Sequence, residues 1–307
     1  MIEFRHQLLG DVMKRFKIVL SSLLVVLILF SMNGCGNGAE IDPHDGQVLV
    51  NDGFDDVWIT PVEGLEVSPL TEEDFTVVDN QPTYNGSLFS VKMGIDVSEW
   101  NHEIDWQAVA STGIEFALVR VGRRGTTEGG LNIDELYKAN LDGASANGID
   151  VGVYFFSQAV NVQEAIEEAE YTLSLLSGYS LQLPVFFDWE NYDGEMRNHD
   201  VAFKTMTDCA VAYCETIKAA GYDAGVYFGK QQGYYAYDLT RFGDYSWWVV
   251  DPGDFYDFYY AGDLWQYSLD KAHINGNDTE VDLDMMFVPL DDDGVIAPFE
   301  LPSENMS

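Results

Sequence analysis

Asp188 and Glu190 stand two residues apart at the end of the run Phe186-Phe187-Asp188-Trp189-Glu190. The run reads as a short hydrophobic strand, and side chains two apart on a strand point to the same face. Both carboxyls therefore project together into the space above the strand end. Two neighbouring carboxyls are the minimal equipment for cutting a glycosidic bond. One stays protonated as an acid, and the other stays ionised to stabilise or capture the cationic sugar centre. Taken alone, the same pair also reads as two solvated acids in a loop.

Something must position these acids, and the surrounding pattern supplies it. Short apolar runs alternate with amphipathic ones from residue 93 onward. Met93–Val97, Phe116–Val121, Val151–Phe156, Leu183–Phe187 and Ala224–Phe228 read as strands. Helices are expected between them over 105–112, 133–147, 162–177 and 201–220, with Gly148, Gly178 and Gly221 as stops. Beyond Tyr235 the helical pattern fades. Trp247–Val250, Leu264–Ser268 and Val281–Phe287 read as three further strands. Alternating β and α with buried parallel strands predicts an α/β fold, an irregular TIM-like barrel whose last helices are missing or reduced. Such barrels carry their active sites at the C-terminal strand ends. That rim gathers Asp96 from the first strand, Asp188 and Glu190 from the fourth, and Asp282 from the last.

The bulk numbers narrow the classes. The 307 residues are 47% hydrophobic, enough for a large core. Lys and Arg number 15 against 52 Asp and Glu, for a net charge of −37. Nucleic acid is excluded as a partner, because phosphate binding needs clustered cations. Electrostatic docking on an anionic surface is disfavoured for the same reason. Aromatic residues make up 14%, which suits stacking on neutral sugars. His102, His199 and His273 have no metal or triad spacing, and no nucleotide fingerprint is present, so neither metal nor cofactor is expected. Cys209 and Cys214 fall on one helix about 140° apart and read as small buried hydrophobes rather than a disulfide.

The N-terminus reads as an address. Lys14-Arg15-Phe16-Lys17 precedes the apolar run Ile18–Phe30 and then Ser31-Met32-Asn33-Gly34-Cys35. This is the n-region, h-region and cleavage pattern of a secretory signal over 1–34, with an h-region too short to span a membrane. A Cys directly after Gly resembles a bacterial lipoprotein cleavage box. Cys35 is therefore the expected lipidation site, and an exported chain held at the outer face of the membrane or in the wall is the expected location. Residues 35–91 are expected to form an acidic linker or stalk, mostly irregular, although Val57-Trp58-Ile59 and Phe75-Thr76-Val77-Val78 could instead add strands to the main domain. The domain itself is placed at 92–290. An acidic tail follows over 291–307, where Asp291-Asp292-Asp293-Gly294 lacks the later positions of a calcium loop.

Several segments together resemble one family. Gly94-Ile95-Asp96-Val97-Ser98-Glu99-Trp100 followed by Ile104-Asp105-Trp106 is similar to the opening of glycoside hydrolase family 25 lysozymes, the Chalaropsis-type muramidases. Gly113–Ala117, Gly152–Phe156, Leu183–Glu190, Gly225–Tyr227, Trp265–Ser268 and Val281–Asp284 follow in order, so the resemblance runs over about 93–287. It implies a barrel of five βα units and three further strands. It also implies hydrolysis of the β-1,4 bond between N-acetylmuramic acid and N-acetylglucosamine in peptidoglycan. The chain is expected to act as a monomer and to need no cofactor. By position Glu190 corresponds to the general acid and Asp188 to its partner. Asp96 and Asp282 correspond to flanking acids, and Tyr154 and Tyr227 to cleft tyrosines. Two segments depart from the family pattern at the cleft rim: Trp248-Val249-Val250 runs into Asp251-Pro252, and Arg123–Thr127 differs from the common loop.

For this chemistry Glu190 needs a raised pKa, which Trp189 and Phe187 as low-dielectric walls and three nearby Asp residues would supply. Asp96 reads either as a strand-end cap or as a site acid. Asp284 competes with Asp282, since the two share a strand face. Tyr154, Tyr227, Trp265 and Trp189 read either as core or as substrate contacts, their strand-end positions pointing to the cleft. Arg120 reads as a buried partner for an acid or as a cleft cation. Two rival functions use the same barrel: a catalytically silent peptidoglycan-binding lipoprotein, and a hydrolase of another N-acetylglucosamine polymer such as chitin.

Overall fold

The computed structural model describes residues 42–79, 81–191 and 196–290. The segment expected as a secretory signal, Cys35 and the acidic tail lie outside the described residues. The strands in chain order are β1 (Val48–Asn51), β2 (Asp56–Ile59), β3 (Phe75–Val78), β4 (Gln81–Tyr84), β5 (Phe89–Val97), β6 (Phe116–Arg124), β7 (Leu131–Ile133), β8 (Asp150–Ser157), β9 (Val185–Trp189), β10 (Ala224–Gly229), β11 (Ser246–Val250), β12 (Leu264–His273) and β13 (Glu280–Pro289). The helices are α1 (Trp106–Ala110), α2 (Tyr137–Ala146), α3 (Val162–Leu175) and α4 (Phe203–Ala219).

Eight strands close into a barrel in the order β5-β13-β12-β11-β10-β9-β8-β6, sealed by β5 on β6, with β7 added at the edge of β6. The pairs from β5 through β6, β8, β9, β10 and β11 to β12 are parallel, whereas β13 runs antiparallel to both β12 and β5. This reversal matters for the site. It brings the N-terminal end of β13 to the rim where the other strands end.

Strand alternation sorts the side chains. Phe116, Leu118, Tyr154, Phe186, Tyr227 and Trp248 form one buried cluster facing into the barrel. Their neighbours on the strands, such as Val119, Val153, Phe187 and Val226, face outward into a larger core under the helices. Bulky interior rings require small partners across the barrel: a Cβ on Gly94 would run into the Phe116 ring.

The helices follow local signals. Asp105 caps α1 by accepting from Ala108 N at 3.1 Å, and Asn161 caps α3 by accepting from Glu164 N at 3.0 Å. Gly148 stops α2 with φ +77°, a conformation that L side chains rarely adopt. One expected helix is shortened. Residues 131–133 pair with β6 as β7, and Asp134 then accepts from Leu136 N at 3.1 Å, so α2 begins only at Tyr137. After β10 the helical positions are reduced to a π turn over Gln232–Ala236 and a 3₁₀ turn over Leu239–Arg241.

The segment expected as a mostly irregular linker instead builds two hairpins, β1–β2 and β3–β4. The reason lies in the missing helices. Among the described residues no helix lies over the outward faces of β12 and β13. Phe75 of β3 covers them, packing edge-on against Trp265 (centroids 5.5 Å apart) and Phe287 (6.4 Å), with Tyr84 beside it. Upstream, Ser68 N donates to Tyr259 O at 2.9 Å and Ala261 N to Glu66 O at 3.0 Å, and Tyr235 Oη donates to Asp52 Oδ2 at 3.0 Å.

Candidate active site

The structure brings Asp96, Asp188, Glu190 and Asp282 to one rim. Asp282 sits directly opposite Asp96 in the β13–β5 ladder, and Asp188 lies opposite Tyr227 of β10 and Phe156 of β8. Glu190 follows β9 by one residue. Its main-chain carbonyl accepts from Gln158 Nε2 and from Asn198 Nδ2, each at 2.8 Å, so its backbone is held from two sides. Asp96 is buried, and its Oδ2 accepts from Gln266 Nε2 at 2.6 Å. Gln266 is oriented in turn by Tyr227 Oη, which donates to its Oε1 at 2.7 Å.

The carboxyls of Asp188 and Glu190 lie close enough to perturb each other's proton affinity, lowering that of Asp188 and raising that of Glu190. Burial raises Glu190 well above the carboxylate range, and the charges of Asp188, Asp96 and Asp282 raise it further. Burial also raises Asp188, while the Glu190 hydrogen bond and the Arg120 guanidinium pull the other way. Of the two, Glu190 is the one pushed further toward holding its proton near neutrality. Such a pair can donate a proton and leave a carboxylate facing positive charge.

These acids also make stability depend on pH. Asp96, Asp188, Glu190 and the buried Asp284 all have raised proton affinities in the fold, with burial as the first cause. The unfolded chain releases the same protons near pH 4. Above that value the native state binds more protons than the unfolded state, so stability is greatest in acid and is lost as pH rises through the folded values, by about 1.4 kcal/mol per unit per group. The thermal midpoint followed by circular dichroism should be higher at pH 5 than at pH 8. A midpoint that climbs with pH would contradict the buried-proton assignment.

Two aromatic assignments need correction. Trp189 and Trp265 are buried, at 4% and 0% exposure, and offer no face to a sugar. They occupy positions that alternation turns outward, away from the barrel interior. Their indole nitrogens are committed to Ala159 O at 3.0 Å and Asp251 O at 2.8 Å. Phe187 is outward as well, so the low-dielectric walls beside the acids are Phe186, Trp248, Tyr154 and Tyr227. Both tyrosines are buried and face the interior, packing against Trp248 at 5.7 and 4.5 Å. Among the described residues, Trp100 offers an exposed ring, at 68%, on the turn that follows β5.

Arg120 is buried and donates through Nε to Asp134 at 2.9 Å, with Glu99 at 3.5 Å, while its charge also reaches Asp188. It is thus a structural ion-pair partner as well as a cation beside the acids. At the two departing segments, Lys230 bridges Asp251 at 2.8 Å and Asp257 at 3.0 Å, and Arg124 pairs with buried Glu168 at 2.7 Å. Sequence reasoning missed Gln266, Trp248, Gln158 and Asn198. Alternation would have found the first, because Gln266 must face inward if Trp265 faces outward.

The family model for glycosyl hydrolases family 25 matches residues 95–276. Lysozyme M1 of Streptomyces globisporus is 36% identical over 87 residues, which is 28% of each chain. The modular autolysin LytC from Streptococcus pneumoniae, solved in complex with a synthetic peptidoglycan ligand, superposes with a TM-score of 0.54 at 24% identity, over 69% of this chain and 51% of that one. The bacterial lysozyme from Streptomyces coelicolor gives a TM-score of 0.53 at 24% identity, over 64% and 91%. These two likenesses are of fold, and the chain spans about half of the autolysin and little more than a quarter of lysozyme M1. With the family match covering more than half of the sequence, the chain belongs to glycosyl hydrolases family 25.

Proposed function

We propose that this chain is a muramidase, hydrolysing the β-1,4 bond between N-acetylmuramic acid and N-acetylglucosamine in peptidoglycan. The observation that carries the reading is the gathering of Asp188, Glu190, Asp96 and Asp282 at one rim of the barrel, with Asp188 and Glu190 side by side at the end of β9. The relative named a lysozyme, at 36% identity over 87 residues, supports the substrate class. Glu190 protonates the departing glycosidic oxygen, since an unprotonated sugar alkoxide is a poor leaving group. Asp188 stays ionised and faces the cationic anomeric carbon, either bonding to it or orienting the substrate's own N-acetyl group. Asp96 and Asp282 flank the pair, and the charge of Asp282 helps keep the proton affinity of Glu190 high.

The test uses the full-length chain on purified bacterial peptidoglycan, with borohydride-reduced products analysed by mass spectrometry. Muropeptides ending in reduced N-acetylmuramic acid support the reading. Reduced N-acetylglucosamine ends, or no new ends on several wall types, would remove it.

The same reading places the chain outside the cell, anchored through Cys35. The basic and apolar run ahead of Gly34-Cys35 supports this, and a lipid tether would hold so acidic a protein at a wall that repels it. Palmitate labelling of the expressed chain, abolished in Cys35→Ala, is the expected result. An unlabelled native chain would discard the anchor.

A further inference from the structure

The barrel interior holds a fifth carboxyl directly beneath the four at the rim. Asp284 is fully buried, on β13 opposite Gly94 of β5 and Gln266 of β12. Its Oδ1 accepts from Trp248 Nε1 at 2.8 Å. Its Oδ2 receives no hydrogen from any conventional donor and lies against the Asp96 carboxyl. Asp96 is itself buried and already accepts from Gln266, whose amide is fixed by Tyr227. Two carboxyls thus meet in a water-poor space. Arg120, the cation whose field reaches the neighbouring Asp188, is engaged by Asp134 and Glu99. Two ionised carboxylates in that setting repel each other with no counter-charge, and a shared proton removes the conflict.

We propose that Asp96 and Asp284 hold one proton between them, donated by Asp96, and that Asp284 is the positioning residue that keeps Asp96 neutral beside the Asp188–Glu190 pair. The proton affinities agree in direction: burial raises Asp96 and Asp284, and Asp96 is raised further by the charges of Asp282 and Asp284. The groups around the pair are settled by the barrel. Asp282 shares β13, Asp188 and Glu190 come from the end of β9, Tyr154 from β8, Tyr227 from β10 and Arg120 from β6. Tyr267 of β12 feels the Asp284 charge from the outward face. Among these groups Asp96 is one whose charge raises Glu190. Its neutralisation by Asp284 therefore sets how strong an acid Glu190 is, a consequence that rests on the muramidase reading above.

The test uses Asp284→Asn in the full-length chain. The carboxamide that replaces the carboxyl would still accept from Trp248 and would donate to Asp96, so Asp96 loses its reason to keep the proton and ionises. The negative charge, moved from Asp284 onto Asp96, whose charge is one that reaches Glu190, should shift the alkaline limb of the kcat/KM pH profile upward by about one unit. A purely structural role would lower activity without moving the limb. A second measurement needs no activity. In a Glu190→Gln background, the infrared difference between chains with and without Asp284→Asn at neutral pH should show a lost protonated-carboxyl band. A superimposable pH profile together with no lost band would overturn the proposal, whatever the substrate proves to be. If Asp284→Asn does not fold, the Glu190→Gln chain decides by itself: the absence of any protonated-carboxyl band at neutral pH overturns the assignment.

Discussion

Glu190→Gln should lower turnover on peptidoglycan by about 10³-fold while leaving the thermal midpoint of the chain at or slightly above that of the native protein. Gln has the size of Glu, and its amide N–H can still donate to Asp188, so the contact between the two side chains survives. The backbone at 190 is held by Gln158 and Asn198 through its carbonyl, independently of the side chain. What disappears is a proton acidic enough to be transferred to a departing sugar oxygen. A half-buried carboxyl whose ionisation the fold disfavours disappears with it, so folding loses nothing at neutral pH. Initial rates of reducing-end release, measured alongside unfolding curves, check both halves. Native turnover in the variant would take the role of acid away from Glu190.

The largest loss of stability is expected at Arg124→Ala. Glu168 of α3 is fully buried, accepting from Arg124 Nε at 2.7 Å and from Ser157 Oγ at 2.5 Å. The same guanidinium donates to Gly129 O at 2.8 Å and Glu164 O at 3.0 Å, tying β6, the loop after it and α3 together. Removing it leaves a buried carboxylate without its cation, a change that costs about 3–5 kcal/mol. Burial already raises the Glu168 proton affinity, to about 7, so the side chain can escape part of that cost by protonating. The penalty should therefore be smaller at pH 5.5 than at pH 8, as read from denaturant unfolding at the two values. A loss below about 1 kcal/mol at both would show that the pair does little for the fold. Activity should fall too. Gln158, whose main-chain N–H approaches Glu168 at 3.4 Å, is one of the two residues gripping the Glu190 carbonyl.

Much of the barrel is legible in the sequence because its strands are short, apolar and separated by helical runs with clear caps. The rim acids are legible because Asp188 and Glu190 share a face and because the first and last strands of a closed barrel are neighbours. What is lost comes from reading strand ends by position instead of by parity. Trp189 lies between two inward carboxyls, so it must point outward, and Trp265 follows the same rule one residue before Gln266. Asp282 and Asp284 read as competitors in the sequence, whereas β13 brings both inward at different depths: Asp282 at the rim, and Asp284 beneath it against Trp248. Nothing local marks that depth, which depends on how far an indole on β11 reaches across the interior. The N-terminal hairpins are hidden for a different reason. Their apolar stretches are brief, and the partners that Phe75 covers, Trp265 and Phe287, lie far along the chain on β12 and β13.

That borrowed cover also has a mechanical meaning. A pull applied at residue 42 does not reach β5 directly. It is met first by the Tyr235–Asp52 contact, next by the paired main chains of 66–68 and 259–261, and then by the Phe75 ring wedged against Trp265 and Phe287. These contacts lie in series along the chain, so each yields before load passes to the next. Only after the last has given way does tension enter the strand that carries Asp96. The hairpins thus lead a pull from upstream into β12 and β13 through Trp265 and Phe287 before it can travel along the chain into β5.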